Sequence, residues 1–175
     1  MSDPSLPLRR SGLAWWPLGA AALVLDQLTK AVIERSVALH ESLYVLPVLD
    51  IVHARNPGAA FSFLADASGW QRWAFTVFAL VVTAVILFTL RRTPALGHRL
   101  QTAGLMLIAS GAIGNAIDRI RHGYVVDFVA VHWNDAYFPA FNVADSCISV
   151  GAGCILLDAL RQWRRERQVA KGGVK

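Results

Sequence analysis

A chain of 175 residues that is 55% hydrophobic and 17% charged is not an ordinary soluble domain, in which about a quarter of residues carry charge. Its net charge of +5 does not point to a nucleic-acid partner, because the basic residues fall in blocks rather than on one patch. Those blocks are Arg9 and Arg10, then Arg91, Arg92 and Arg99, and then a tail from Arg161 to Lys175.

The first apolar run, Ala14 to Leu25, continues past Asp26 to Ile33 and predicts a membrane span over 14–33. Arg9-Arg10 ahead of it resembles the start of a cleaved signal peptide, but the run passes into Asp26-Gln27-Leu28-Thr29-Lys30 without a small-residue cleavage site. Met1 to Arg10 is expected to be peripheral. Residues 34–70 form a long outer loop. Tyr44 to Leu46 and Leu49 to His53 read as strands separated at Pro47, and Arg55-Asn56-Pro57-Gly58 reads as a turn. The small, apolar segment from Gly58 to Leu64 is expected at the membrane surface, either as a mobile flap or as a fixed interfacial helix.

Uncharged runs predict further spans over 71–90 and 99–118, joined by a short connection at Arg91 to Arg99. The second outer loop, 119–137, contains the strand-like run Gly123 to Val129. A fourth span is expected over 138–160. The three basic blocks then share one side of a four-span protein, which puts both termini in the cytoplasm and makes the tail a headgroup anchor. Trp16, Trp70, Trp73, Trp133 and Trp163 fall near span ends, where amphipathic rings settle. The expected fold is therefore an all-α membrane protein with a small β element, one domain over 1–175, with a sheet on the outer leaflet.

Polar residues in the spans keep helical spacing: Asp26, Thr29 and Lys30; Gly111, Gly114, Asn115, Asp118 and Arg119; Asn142, Asp145, Ser146 and Ser149. In lipid such faces turn toward one another. Asp26 with Lys30, and Asp118 with Arg119, are each compatible with ordinary interfacial ion pairs. Asp127 and Asp145 lack basic neighbours in sequence and are set in apolar surroundings, where a carboxylate costs about 2.5–3.5 kcal/mol at a helix centre. They are the candidates for a shared-proton pair that activates water. No His-x-x-x-His spacing occurs among His40, His53, His98, His122 and His132, so no metal is expected. Cys147 and Cys154 would lie about 10 Å apart along one helix, beyond disulfide reach.

Five blocks carry a resemblance: Asp26-Gln27-Leu28-Thr29-Lys30; Asn56-Pro57-Gly58 through Ser62; Gly114-Asn115 with Asp118-Arg119; Val126-Asp127-Phe128; and Phe141-Asn142-Val143-Ala144-Asp145-Ser146. In this order, from about Leu25 to Gly151, they resemble the motif set of the lipoprotein signal peptidases (signal peptidase II). Ser110 stands where that family often has glycine, and Ala116 where it often has leucine. The resemblance implies an aspartyl endopeptidase of the bacterial cytoplasmic membrane. It would cleave diacylglyceryl-modified prolipoproteins just before the lipidated cysteine, as a monomer without cofactor, near the extracytoplasmic face. Asp127 and Asp145 would be catalytic. Asn56, Asn115 and Asn142 would orient them or hold substrate. Arg119 would satisfy carbonyls of the loop carrying Asp127. Asp26, Gly58 and Ala144 would support the site, and the outer strands would cradle the peptide while the lipid chains stay in the bilayer. A proton or cation transporter using the same intramembrane acids is the alternative, and a non-catalytic adaptor the third reading.

Overall fold

The computed structural model describes residues 7–58, 69–96, 98–134 and 136–172, with side chains as far as 169. Four helices, α1 (Trp16–Ser36), α2 (Trp70–Arg92), α3 (Arg99–His122) and α4 (Val143–Gly172), stand beneath one antiparallel sheet. The sheet consists of β1 (Ser42–Leu46), β2 (Leu49–Asn56), β3 (Val125–Trp133) and β4 (Ala136–Tyr137), hydrogen-bonded in that order. The segment from Gly58 to Leu64 lies outside the described residues beyond its first glycine, as do Met1 to Leu6 of the N-terminal stretch.

Helices α2, α3 and α4 are long and apolar enough to cross a membrane. Helix α1 has 21 residues but carries Asp26, Gln27 and Lys30 within them, which lowers its apolarity. Its polarity is turned inside out. Asp26 and Lys30 are buried, while Val24, Leu25, Leu28 and Val32 are exposed. A soluble helix would show the reverse arrangement.

The α3–α4 contact is the closest in the bundle. A Cβ on Gly104 would come within 2.6 Å of the Gly151 carbonyl oxygen, and one on Gly151 within 2.5 Å of the Gly104 carbonyl oxygen. Only hydrogen fits on either side, and small residues let two helices in lipid approach to backbone distance. At the end away from the sheet, Ile86, Leu90, Met106 and Ala109 form an apolar core. Under the sheet a second core joins Ile33 and Val37 of the α1 end to Val126 and Phe128 of β3.

Two expectations are corrected. The fourth helix begins at Val143, not at 138. Phe138 cannot easily be helical before Pro139, and the backbone there pairs with β3 instead, through Phe138 N–H to the Val131 carbonyl and Phe141 N–H to the Val129 carbonyl. Nor is the stretch up to Arg10 merely peripheral. Leu8–Arg10 forms a 3-10 turn whose Arg10 carbonyl accepts the Ala95 N–H, and Gly12 N–H bonds the Thr93 carbonyl, so this strand of chain is stapled to the α2–α3 connection.

Because the Gly104–Gly151 contact involves backbone on both sides, no rotamer change relieves an added methyl. Gly151→Ala is expected to cost about 1–3 kcal/mol and to lower the Tm in detergent by several degrees, by about 2–4 °C per kcal/mol. An unchanged Tm in a thermal scan would show that the helices can separate freely there.

Candidate active site

Lys30 is 3% exposed, and its ammonium is surrounded by acceptors. It lies 2.9 Å from Asp26 Oδ2 and 2.8 Å from Asp118 Oδ2, and donates to Asn115 Oδ1 at 3.0 Å. Gln27 closes the cluster, its amide donating to Asp26 Oδ2 and Asp118 Oδ1 at 3.1 Å each. The expected Asp26–Lys30 pair is present, but as part of a dry network rather than an interfacial one. The expected Asp118–Arg119 pair is replaced, since Asp118 turns inward to Lys30. The two neighbours sit about 100° apart around the helix and cannot share a partner easily.

The network holds the two chain segments that carry the candidate acids. Asp118 Oδ2 accepts the Val126 N–H at 3.3 Å, which fixes β3 immediately before Asp127. Asp26 Oδ1 accepts the Ala144 N–H at 2.9 Å, which fixes the first turn of α4 immediately before Asp145. Gly114 makes room for this, since a Cβ there would sit 2.5 Å from Asp26 Oδ2.

Strand alternation aims Asp127. Val126 and Phe128 pack against the end of α1, so the side chain between them points to the opposite side, toward Asn56 and Asn142. Opposite it, β2 departs from regular register between Ile51 and Ala54, and Ala54 pairs with Asp127. Bulges of this kind re-aim side chains beside functional sites. Helix capping aims Asp145. Asn142 is the residue before α4, its Oδ1 accepts the Asp145 N–H at 2.9 Å, and Asp145 Oδ2 accepts the Asn142 N–H at 3.3 Å. This reciprocal pair is a capping box with Asn and Asp in its two places, and it puts a carboxylate at the positive end of a helix dipole. Asn142 was expected on the helix itself; it serves as the cap instead.

Asparagine amides reach both carboxylates. Asp127 accepts Asn142 Nδ2 at 2.7 Å and Asn56 Nδ2 at 3.1 Å, and Asp145 accepts Asn115 Nδ2 at 2.8 Å. Asn142, fully buried, thus touches both acids, one by its side chain and one by both its backbone and its side chain. Burial first, and the nearby charge of Asp145 second, push the Asp127 carboxyl up to about 7, against the hydrogen bonds from Asn56 and Asn142. Asp127, Asp145, Asn56, Asn115 and Arg119 line one cavity of about 730 Å³ between the sheet, α3 and α4. Phe138, Phe141, Ile148 and Val150 give it an apolar side.

Arg119 does not reach carbonyls of the Asp127 loop. It donates to the Gly58 carbonyl at 3.0 Å and to the Asn115 carbonyl at 3.4 Å. Gly58 N–H in turn bonds Asn56 Oδ1 at 3.0 Å, so Arg119 and Asn56 together hold the Asn56-Pro57-Gly58 turn at the cavity edge. Gly58, Ala144 and Asp26 stand behind the cavity wall and do not line it. Among the described residues no cluster of His, Cys, Asp and Glu has the geometry of a metal site. Lys30 and Gln27 were not singled out from sequence as site residues. The available signal was the four-residue offset from Asp26 to Lys30 inside an apolar run, where a paired interior location competes with an interfacial one.

Removing the central charge while leaving its acids buried is the sharpest test of this framework. Lys30→Met is expected to cost about 3–5 kcal/mol, as breaking a buried pair does, and to lower the Tm. Lys30→Met combined with Asp26→Asn and Asp118→Asn should recover part of that loss. If Lys30→Met alone melts like the wild type, the cluster is not what holds the two acid-bearing segments.

A model of the family described as signal peptidase (SPase) II matches residues 18–161. A lipoprotein signal peptidase from Shewanella pealeana is 48% identical over 149 residues, which cover 85% of this chain and 87% of that one. One from Actinobacillus succinogenes is 42% identical over 158 residues, covering 90% and 96%. A solved structure of a bacterial membrane enzyme superposes with a TM-score of 0.75 at 28% identity, over 85% of this chain and 88% of that one. With paired acids at the end of a helical bundle and a match over most of its length, the chain belongs to the signal peptidase II family.

Proposed function

We propose that this protein removes the signal peptide from prolipoproteins, cutting just before a diacylglyceryl-modified cysteine, and that Asp127 and Asp145 perform the hydrolysis as an aspartyl dyad. The observation that carries the reading is the joint presentation of two amide-supported carboxylates in one half-apolar cavity. Membership in a peptidase family leaves the transporter reading without support.

The chemistry follows from the proton count. Two carboxylates facing one cavity resist double ionisation, so the pair holds one proton. Asp127, pushed up to about 7, carries it below that pH. Asp145, at the N-terminus of α4 and accepting a backbone N–H, takes the role of base. Asp145 takes a proton from the attacking water while Asp127 gives its proton to the scissile carbonyl oxygen, producing a tetrahedral gem-diol. On collapse the C–N bond breaks, Asp145 gives its proton to the leaving amine of the lipidated cysteine, and Asp127 recovers a proton from one gem-diol hydroxyl as the new carboxyl group forms. Asn56 and Asn142 hold Asp127, Asn115 holds Asp145, and no residue becomes covalently attached.

The apolar side of the cavity, Phe138, Phe141, Ile148 and Val150, suits a substrate whose cleavage point carries hydrocarbon. Helix α1 is the fourth span in this reading, because its exposed face is apolar and its charges are internal. The basic blocks then put both termini in the cytoplasm of a bacterial inner-membrane protein and the carboxylates near the extracytoplasmic face. The chain acts as a monomer on a prolipoprotein within the lipid bilayer.

Purified protein is expected to cleave a diacylglyceryl-modified prolipoprotein peptide in the presence of chelator, whereas Asp127→Asn and Asp145→Asn, each with a wild-type Tm, lose at least about 10³-fold in kcat, the scale seen when a principal catalytic group is removed. Residual cleavage near the wild-type rate in both would end the dyad assignment.

The pH dependence has a definite sign. Below about 7 Asp127 is protonated and can act as the acid; above it the proton leaves and the dyad becomes doubly charged. The expected kcat/KM therefore declines above pH ~7, approaching tenfold per pH unit, as loss of one essential proton requires. A profile flat from pH 6 to pH 9 would remove Asp127 as the acid.

A further inference from the structure

A second large cavity lies at the opposite end of the bundle from the carboxylates, with a volume of about 700 Å³. Leu13, Leu23, Leu87, Met106 and Ile113 wall it, and nothing in the proposed chemistry uses it. Its lid is the stapled N-terminal stretch. Arg10 and Gly12 bond the α2–α3 connection through their backbones, and Ser11 Oγ donates to the Leu8 carbonyl at 2.9 Å, so Leu8 and Arg9 are held over the opening. On the floor, α1 and α3 touch at Gly19, where a Cβ would lie 2.8 Å from both Met106 Sδ and Ser110 Oγ. The Ser110 hydroxyl is already spent on the Met106 carbonyl at 2.8 Å, so it offers the interior no free donor. The result is an apolar cleft among α1, α2 and α3 with the N-terminal stretch at its opening.

Charge decides what fits it. Arg9 lines the rim and is exposed, as is Arg10 beside it, and neither makes an ion pair among the described residues. Trp16 stands on the same rim, 66% exposed, as amphipathic rings do at the headgroup level. Hydrocarbon walls beneath an unpaired guanidinium match a molecule that is apolar along its length and anionic at one end. We propose that the cleft binds one acyl chain of an anionic glycerophospholipid from the cytoplasmic leaflet, with the lipid phosphate on Arg9. The site goes beyond the peptidase reading and takes from it only the orientation of the bundle. An arginine forks onto phosphate oxygens in a bidentate manner that a lysine does not reproduce.

The test is lipid binding rather than cleavage. Delipidated protein in detergent is titrated with phosphatidylglycerol or phosphatidylcholine, and bound lipids are counted by native mass spectrometry. One phosphatidylglycerol is expected to be held about fivefold more tightly than phosphatidylcholine, the worth of one basic residue near an anionic headgroup. Arg9→Gln should remove that preference, and Ala20→Phe, which puts a ring into the cleft, should remove the bound lipid. Both variants should keep the wild-type Tm and cleavage rate. Equal affinity for the two lipids, a preference surviving Arg9→Gln, or a lipid surviving Ala20→Phe overturns the proposal. Should Ala20→Phe not fold, Arg9→Gln, at an exposed side chain, still decides it.

Discussion

The site depends on one buried ammonium. Lys30 lies between Asp26 and Asp118, and each of those acids spends its other oxygen on the structure around it. Asp26 holds the Ala144 N–H and Asp118 is bonded by the Gln27 amide, while its Lys30-facing oxygen also accepts Val126 N–H. The two segments that carry the candidate carboxylates are thereby tied to one charge. A buried pair is poor evidence of net stability, because desolvation offsets most of the attraction. Its value here is positional: an apolar triad of equal volume could fill the space but could not anchor two backbone N–H groups.

Asn142 completes the arrangement at a smaller scale. As the cap of α4 it satisfies a helix N–H that lipid could not, and the same amide group reaches Asp127. Helix start and strand centre are thus joined through one side chain. Asn115 does similar double duty, accepting from Lys30 on one atom and donating to Asp145 on the other. Both amides have their orientation fixed by partners of opposite kind, so neither can flip without losing hydrogen bonds.

Much of this was legible in the sequence. Helical offsets put Gly111, Gly114, Asn115 and Asp118 on one face, and all four are buried. The β-branched runs at Leu49 and Val125 are strands. What escaped was the identity of partners far apart in the chain. Spacing pairs Asp118 with a neighbour such as Arg119, but burial selects Lys30, 88 positions away, because only an interior cation compensates an interior acid. The start of α4 was misplaced for a local reason: the apolar stretch already begins at Phe138, and hydropathy does not register that Pro139 disfavours a helix at the residue before it. The stapling of Arg10 and Gly12 to the α2–α3 connection is backbone bonding, to which side-chain patterns are blind.

The charged groups stand apart from the two candidate acids. Lys30 is surrounded by two carboxylates and an amide oxygen. Arg119 is occupied with carbonyls of the Asn56-Pro57-Gly58 turn and of its own helix. That leaves Asp127 and Asp145 supported by amides alone. An amide donates to a carboxylate without supplying a full charge, so it orients the group and only partly opposes the upward push of burial and of the other acid. Exchanging Asn56 or Asn142 for a cation would hold Asp127 as firmly and would drain its proton. Neutral groups touch the candidate pair and charged ones stand a layer behind, an arrangement that orients both acids without neutralising either.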